Sequence, residues 1–247
     1  MNLLREDQST LSIDQWNHIS NLIHCFDEHN ALRIVQQFVE KQNTLPIRLR
    51  YKFNDLADLY KSFLTKVQIF ENNEDAHSLC LQDRSILIHT TVKLMSSFGG
   101  LFLLHQTKIL YDPVFFTNNM LLFGTDGMAS CKQTASHLDD DMTFVKLIMA
   151  MSSFSTFNYT TFQNTIPKNL IDVKKVLRIQ NTYVDLAWRY MVYKHGYQHA
   201  ILRFAQLVRC FLYFVRATSE SDEHQVYTHI IDTVGEQIEQ ALVLAHR

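Results

Sequence analysis

Apolar side chains recur at helical spacing through the first quarter of the chain. Ser12 and Gln15 form a capping box, a pairing that satisfies free N–H groups at a helix start, so a first helix is predicted there. A short amphipathic segment and a longer helix follow, separated by a break at Asn43–Pro46. The apolar positions that predict these helices are Ile13, Trp16, Ile19, Ile23 and Phe26, then Leu32, Val35 and Val39, then Phe53, Leu56, Tyr60, Phe63 and Val67.

The segment from Ile86 to Leu104 is apolar on nearly every side. Such a helix belongs in the middle of a protein, because none of its faces suits water. Beyond it, the pattern predicts a helix from Met142 to Phe154 opened by Asp139–Asp141, one from Leu170 to Lys194 that ends before Gly196, one from Ala200 to Ala217, and one from about Val226 to Ala245.

Residues 105–124 have a different pattern. Ile109–Tyr111 and Val114–Phe116 flank the dipeptide Asp112–Pro113, and a further apolar run spans Met120–Phe123. Short apolar runs around a turn dipeptide are typical of β-strands. A small β-hairpin is therefore expected after the central helix.

Composition supports one mostly helical domain. The chain has 247 residues, 47% of them apolar, with only 6 Gly and 3 Pro to form turns. Its formal net charge of -2 gives no field that attracts nucleic acid. The 4 cysteines lie far apart, and neither a signal peptide nor a long apolar span is evident, which favours a soluble protein of a reducing, intracellular compartment.

No arrangement of reactive side chains points to catalysis. Asp139–Asp141 could ligate a hard cation, but carboxylates at a helix start are better explained as caps. His195 and His199 have the spacing of a metal pair, yet Gly196 falls between them where a helix should end. Gly99–Gly100 lacks the context of a phosphate-binding loop. Neither an enzyme nor a bound metal or cofactor is expected.

The segment Leu79–His89 resembles the signature of nuclear hormone receptor ligand-binding domains. The matching positions are Leu79, Asp83, Leu87 and Ile88, while Arg84 replaces the family's Gln and His89 its Lys. A second region is similar to the family's ninth and tenth helices. It comprises Ile179-Gln180, Tyr183, Tyr190 and Arg203–Val208.

This resemblance implies an all-α domain, a three-layer antiparallel helical sandwich with a small β-hairpin, formed by residues 1–247 as a single unit. In the family, a lipophilic ligand under the central helix biases a C-terminal helix and so changes the groove offered to coregulator helices. The implied function is a ligand-regulated or constitutive transcription regulator of the nucleus, or of cytoplasm and nucleus. No nucleic acid is expected to bind this domain, and no membrane contact is expected.

The departures from the family pattern define the expected ligand. Gly99 stands where the family often has an Arg that anchors acidic groups, so a neutral or weakly polar lipophilic molecule is expected. The candidate lining residues are Asn54, Phe63, Val92, Met95, Ser96, Phe214 and His224. The alternative is a pocket that Met and Phe side chains fill.

The resemblance also places a coregulator groove on the signature segment. Its candidate residues are Lys66, Arg84, Ser85, Ile88 and His89. Lys66 reaches the clamp position only if Asn72–Asp75 is an insertion, since otherwise Glu71 falls there. The plain alternative is a solvated helix end. Thr233–Ile238 is at best a degraded form of the family's activation helix, and Ile238–Leu244 is amphipathic but does not fit its pattern, so activation by ligand is not assumed.

The helix from Ala200 to Ala217 carries more apolar residues than one inward face requires. Because the family dimerises there, a homodimer or a heterodimer with a related receptor is expected. The candidate contact residues are Arg203, Leu207, Phe211 and Leu212. The alternative is a monomer in which the helix from Val226 to Leu244 folds back over this surface.

Two other functions remain open. The chain could be a helical interaction scaffold without a ligand, which a fully packed core would favour. It could also be an enzyme or metal protein whose site assembles from distant His residues, which a convergent cluster of His and Asp in a cleft would favour.

Overall fold

The structure, a computed structural model, describes residues 11–27, 31–65, 73–155 and 170–222. This part of the chain is all-α and contains no β-strand. Two 3-10 turns, Ile47–Leu49 and Ile109–Tyr111, lie between helices. The helices are α1 (Ile13–Asp27), α2 (Ala31–Asn43), α3 (Phe53–Thr65), α4 (Glu74–Ser78), α5 (Leu81–Gln106), α6 (Pro113–Ala135), α7 (Met142–Ser153) and α8 (Val173–Asp222).

Side chains near the helix starts explain where several helices begin. The predicted capping box is confirmed, because the Ser12 N–H donates to Gln15 Oε1 at 2.9 Å and the Gln15 N–H donates to Ser12 Oγ at 3.2 Å. Asn73 caps α4, and Asp141 caps α7 by accepting the N–H groups of Thr143 and Phe144. The predicted start of α7 at the acidic run is thereby confirmed.

The β-hairpin predicted within residues 105–124 is wrong. Ile109–Tyr111 is a single 3-10 turn, and the residues after Asp112 form α6. Asp112 Oδ1 accepts the N–H groups of Val114 at 2.8 Å and Phe115 at 3.2 Å, while Pro113 occupies the first turn, where its missing N–H costs nothing. The dipeptide that resembles a turn is therefore a helix start.

Helix α5 occupies the centre of the described fold, as its apolar sequence predicts. It packs against α3 and α7, and it also touches α2 and α6. Helix α7 packs in turn against α1 and α8, and α8 packs along α6. The successive residues Ile86, Leu87 and Ile88 of α5 are all buried, and because neighbouring residues on a helix point about 100° apart, the core lies on more than one side of α5.

Helix α8 is interrupted at Gly196, where the sequence predicts a helix end. The backbone there has φ 73° and ψ 162°, a conformation that is essentially restricted to glycine. Helical geometry resumes directly afterwards. We call residues 173–195 the first arm of α8 and residues 197–222 its second arm.

Within the described residues, none of the helices combines the length and the apolar character that crossing a membrane requires.

Candidate functional site

The signature segment contains a buried carboxylate that bridges two distant parts of the chain. Asp83, in the first turn of α5, is 0% exposed. Its Oδ1 accepts the N–H of Ile171 at 2.6 Å, and its Oδ2 accepts the N–H of Asp172 at 2.9 Å. A carboxylate that accepts two backbone N–H groups forms strong, charge-assisted hydrogen bonds. Asp83 therefore fixes the start of α5 to the start of α8.

The predicted groove residues have unequal access to solvent. Arg84 and Ile88 are buried, and the Arg84 guanidinium lies 3.1 Å from Nδ1 of His77. Ser85 is half-buried. Lys66 and the side chain of His89 lie outside the described residues. A groove on this segment therefore requires Ser85 together with side chains that the structure does not describe.

Aromatic side chains fill the described space beside the central helix. Phe63 of α3 is buried against Gly100, where an added Cβ would come within 2.6 Å of Phe63 Cδ2. Phe98 stacks on Phe211 with ring centroids 5.3 Å apart and meets Phe214 edge-on at 5.2 Å. A void of only about 10 Å³ borders Phe98. The core around Phe63 and Phe98 is thus closely packed.

The candidate ligand residues are only partly brought together. Phe63 and Phe214 lie in the core, but Asn54 is exposed in the first turn of α3 and does not line this space. Asn54 is exposed because it lies outside the buried face of α3, which is formed by Leu56, Leu59, Tyr60 and Phe63. His224 and the side chains of Val92, Met95 and Ser96 lie outside the described residues.

The second arm of α8 presents an apolar stripe to solvent. Its exposed members are Ile201, Phe204, Val208 and Leu212, which recur every three or four residues on one helix face. Of the predicted contact residues, Leu212 is 67% exposed, whereas Leu207 and Phe211 are half-buried and pack against the core. Arg203 forms an ion pair with Asp139. Two exposed residues of the stripe therefore directly follow the half-buried candidates in sequence: Val208 follows Leu207, and Leu212 follows Phe211.

The acidic run is occupied by internal partners. Asp141 Oδ2 accepts a hydrogen bond from Lys194 Nζ at 2.7 Å, and Asp140 lies 3.5 Å from His105 Nε2. Burial opposes ionisation of Asp141, but the Lys194 ammonium and the N-cap hydrogen bond outweigh it and lower its pKa. These partners support the interpretation of Asp139–Asp141 as caps and ion-pair acceptors.

Neither these carboxylates nor the histidines near Gly196 form a metal site in the described structure. Among the described residues, no group of three or more His, Cys, Asp or Glu side chains is placed to hold a metal ion.

A polar cleft between α1, α4 and the first arm of α8 was not predicted. We call it the His18 cleft. His18 Nε2 lies 2.8 Å from Asp75 Oδ2, the Tyr183 hydroxyl donates to the same oxygen at 2.7 Å, and Asn73 Nδ2 donates to that hydroxyl at 2.9 Å. These side chains line a cavity of about 230 Å³. The sequence shows Asn73 and Asp75 only as a break between helices, and nothing in it indicates their distant partner Tyr183.

Ionisation in the His18 cleft follows from these contacts. The hydrogen bond to Asp75 raises the pKa of His18 despite partial burial. Burial opposes ionisation of Asp75, but hydrogen bonds from His18 and Tyr183 outweigh it and lower its pKa. Burial raises the pKa of Tyr183, so its hydroxyl remains a donor at neutral pH. The cleft thus holds a fixed His–carboxylate–Tyr arrangement that links three helices.

No protein-family model matches the chain, and a search of curated protein sequences finds no significant relative.

Proposed function

We propose that this chain is a nuclear-receptor-like ligand-binding domain that regulates transcription. The observation that carries the proposal is the pair of hydrogen bonds from Ile171 and Asp172 to Asp83. Asp83 belongs to the first stretch that resembles the family, and its partners directly precede α8, which contains the second stretch. The resemblance is based on two separate stretches of sequence. These hydrogen bonds support it because they bring the first stretch to the start of the helix that contains the second.

The proposed architecture is a three-layer antiparallel helical sandwich. Helices α5 and α7 form its middle layer together with the first arm of α8, and α1 and α3 cover one side. Helix α6 is broken at Gly124, where φ is 72° and ψ is 166°, and only the part of α6 after Gly124 covers the other side together with the second arm of α8. The packing of α5 against α3 and α7, and of α8 against α6 and α7, supports this arrangement.

The proposed mechanism is a population shift without any chemical step. A lipophilic ligand enters beside α5 by displacing Phe63, Phe98 or Phe211, whose aromatic packing holds the ligand-free state closed. Binding favours the opened state only to the extent that the ligand's contacts exceed those of the displaced rings. The resulting change in the helices around α5 alters the surface offered to coregulator helices and, through it, transcription.

Native mass spectrometry of the purified protein tests this function. The expected result is a protein-bound neutral lipophilic molecule whose addition to the stripped protein raises the melting temperature. A fatty acid bound by its carboxylate at Gly99 would contradict the ligand class, because no guanidinium is present there.

A second candidate function is a ligand-free interaction scaffold. The aromatic packing around Phe98 and the void of about 10 Å³ beside it favour this candidate. It predicts that the purified protein carries no ligand, that lipophilic compounds do not change its melting temperature, and that it binds coregulator-type helical peptides constitutively.

Coregulator binding is tested at Ser85, because Ile88 is 6% exposed and Ile88→Arg would disrupt the core. Ser85→Glu is expected to weaken binding of an amphipathic coregulator-type helical peptide. Ser20→Glu, at an exposed serine of α1, is the matched control and is expected to leave binding unchanged. Equal binding by both variants would contradict a groove on the signature segment.

Dimerisation through the second arm is the remaining part of the proposal. A face with Phe204, Val208 and Leu212 exposed is suited to pairing with the same face of a second copy or of a related receptor. Sedimentation is expected to show a species heavier than the 29.0 kDa chain, which Leu212→Asp reduces to the monomer. A 29.0 kDa species in both proteins would contradict dimerisation.

A further inference from the structure

The connection between α2 and α3 combines exposed apolar side chains with exposed cations. We call residues 46–53 the basic turn. Ile47 is 65% exposed, Leu49 is 45% exposed and Phe53 is 48% exposed. Arg48 and Lys52 lie between them in sequence and are exposed as well. Large apolar side chains that are grouped at a surface indicate a contact with another molecule.

The basic turn is held in one conformation by buried contacts. Tyr51 is 1% exposed and adopts φ 53°, which is unusual for a residue with a side chain. Its N–H donates to Gln42 Oε1 at 2.6 Å, its hydroxyl donates to Asp112 Oδ2 at 3.3 Å, and its ring meets Phe115 edge-on at 5.4 Å. Burial and the nearby Asp112 carboxylate raise the pKa of Tyr51 to about 12, so the hydroxyl stays protonated.

Arg50 fixes the turn from its other side. Its Nε donates to the carbonyl of Leu45 at 2.9 Å, and its Nη2 donates to the carbonyl of Asn43 at 3.1 Å. Asn118 of α6 donates to the carbonyl of Arg50 at 3.2 Å. Because the backbone is already ordered, a partner that binds the basic turn loses little conformational entropy there.

The local charge indicates the sign of the partner. Residues 41–54 contain four basic residues, Lys41, Arg48, Arg50 and Lys52, and no acidic residue, in a chain whose net charge is -2. Arg50 is bound to carbonyl groups and Lys41 lies 3.8 Å from Asp55, which leaves Arg48 and Lys52 as exposed cations that directly adjoin Ile47, Leu49 and Phe53 in sequence. They complement carboxylates that flank apolar residues.

We propose that the basic turn is a docking surface for an acidic amphipathic segment of a partner protein. The partner's apolar side chains contact Ile47, Leu49 and Phe53, and its carboxylates pair with Arg48 and Lys52. Uniformly anionic partners suit the surface less well, because the flanking helices expose Glu40 and Asp58. Two cations are also few for nucleic acid, whose affinity depends on many phosphate contacts. This surface does not depend on the proposed receptor function.

The test measures fluorescence anisotropy of a labelled synthetic peptide in which Leu and Phe alternate with Asp and Glu. The full chain is expected to bind it, and added salt is expected to weaken binding. Arg48→Glu with Lys52→Glu, and separately Ile47→Ser with Leu49→Ser, are each expected to weaken binding about tenfold. Because all four side chains are exposed, the variants are expected to keep the wild-type circular dichroism and melting temperature.

Matched controls keep the charge and the hydrophobicity arguments separate. Lys174→Glu reverses an exposed cation of α8, and Ile13→Ser removes an apolar side chain of α1 that is 79% exposed. Both are expected to bind as wild type does, as is Ser85→Glu at the signature segment. The proposal is overturned if the chain does not bind the peptide, if a peptide with Lys in place of every acid binds equally, or if the controls weaken binding as much as the turn variants do. Binding to vesicles that contain phosphatidylserine, without binding to the peptide, would overturn it in favour of a lipid surface.

Discussion

The two arms of α8 have similarly apolar sequences but different surroundings. The first arm is held by partners on several sides: Tyr183 stacks on Phe154 with centroids 5.6 Å apart, and Trp16 meets Tyr190 edge-on at 6.4 Å. It also leaves Val173, Leu177, Val184 and Tyr193 at the surface, yet its buried apolar residues are Val176, Ile179, Tyr183, Leu186, Ala187, Tyr190, Met191 and Val192. In the second arm, the buried residues among the side chains that the structure describes are Ala200, Cys210, Phe214 and Ala217.

This difference shows that an apolar sequence does not by itself decide burial. The second arm contacts α6 through Cys210, whose thiol lies 3.7 Å from the Thr134 carbonyl, and contacts α5 through Phe211. Those contacts cover one side of the helix, and the exposed stripe lies on another. Apolar residues are buried where neighbouring helices surround them, as in the first arm, and stay exposed where no described helix covers them, as in the second arm.

The largest expected effect compares one leucine from each arm. Leu186 is 2% exposed and Leu202 is 67% exposed. Leu186→Ala is expected to lower the free energy of unfolding by about 2–5 kcal/mol, because it leaves a cavity in a packed core. Leu202→Ala is expected to change it by less than about 0.5 kcal/mol. Denaturant unfolding measures both, and equal losses would contradict the assignment of the second arm's outer face to solvent.

Gly196 separates the arms, and its substitution is expected to have the next largest effect. An added Cβ meets nothing within 4 Å, so any cost of Gly196→Ala comes from the backbone conformation alone. That cost is expected to be about 1–3 kcal/mol. Gly196→Asn is expected to give no rescue, because Asn tolerates the left-handed helical region, whereas ψ here is 162°. Thermal unfolding of both variants checks this, and a neutral Gly196→Ala would show that the arms join without strain.

The features that the sequence predicts correctly are those encoded by neighbouring residues. The Ser12–Gln15 capping box, the central helix and the break at Gly196 each depend on a short pattern. The predicted hairpin fails because Asp112–Pro113 is both a turn signal and a helix-start signal, and only the capping bonds distinguish the two.

The candidate sites were less predictable because they depend on contacts between distant residues. The bonds of Asp83 to Ile171 and of Asp75 to Tyr183 have no local pattern. In the second arm, the sequence shows excess apolar surface but not its orientation. Neighbouring residues on a helix point about 100° apart, so Phe211 packs on Phe98 while Leu212 is exposed.

A smaller effect is expected from the polar contacts of the first arm. Tyr183→Phe keeps the ring but removes the hydroxyl that joins Asn73 to Asp75, which leaves the buried Asn73 amide and the half-buried Asp75 carboxylate without that partner. The expected loss of unfolding free energy is about 1–2 kcal/mol. Tyr193→Phe, at a tyrosine of the same arm that is 57% exposed, is the matched control and is expected to be neutral. Equal stability of the two variants would show that hydrophobic packing alone holds the first arm.

The smallest expected effect is the pH dependence of the contact between His18 of α1 and Asp75 of α4. The folded-state pKa of His18 is raised above 6.5, chiefly by its hydrogen bond to Asp75, so the folded protein binds the proton more tightly than the unfolded chain does. The resulting stabilisation is fully present below the unfolded pKa and is lost as pH rises through the raised folded pKa. His18→Gln is therefore expected to destabilise the protein more at about pH 6 than at about pH 8.5. Because the pair is partly exposed, the difference is expected to be below about 1 kcal/mol.

Variants must be compared because the pH dependence of stability that His105 causes has the opposite sign to that caused by His18. Burial, and then the charge of Lys108, lower the pKa of His105, so its contribution to stability is lost as pH falls. Subtracting the unfolding free energy of His18→Gln from that of wild type at each pH removes the contribution of His105. His199→Gln, at an exposed histidine of the second arm, provides the matched series. If the His18→Gln difference is the same at both pH values, or if His199→Gln reproduces it, protonated His18 does not join α1 to α4.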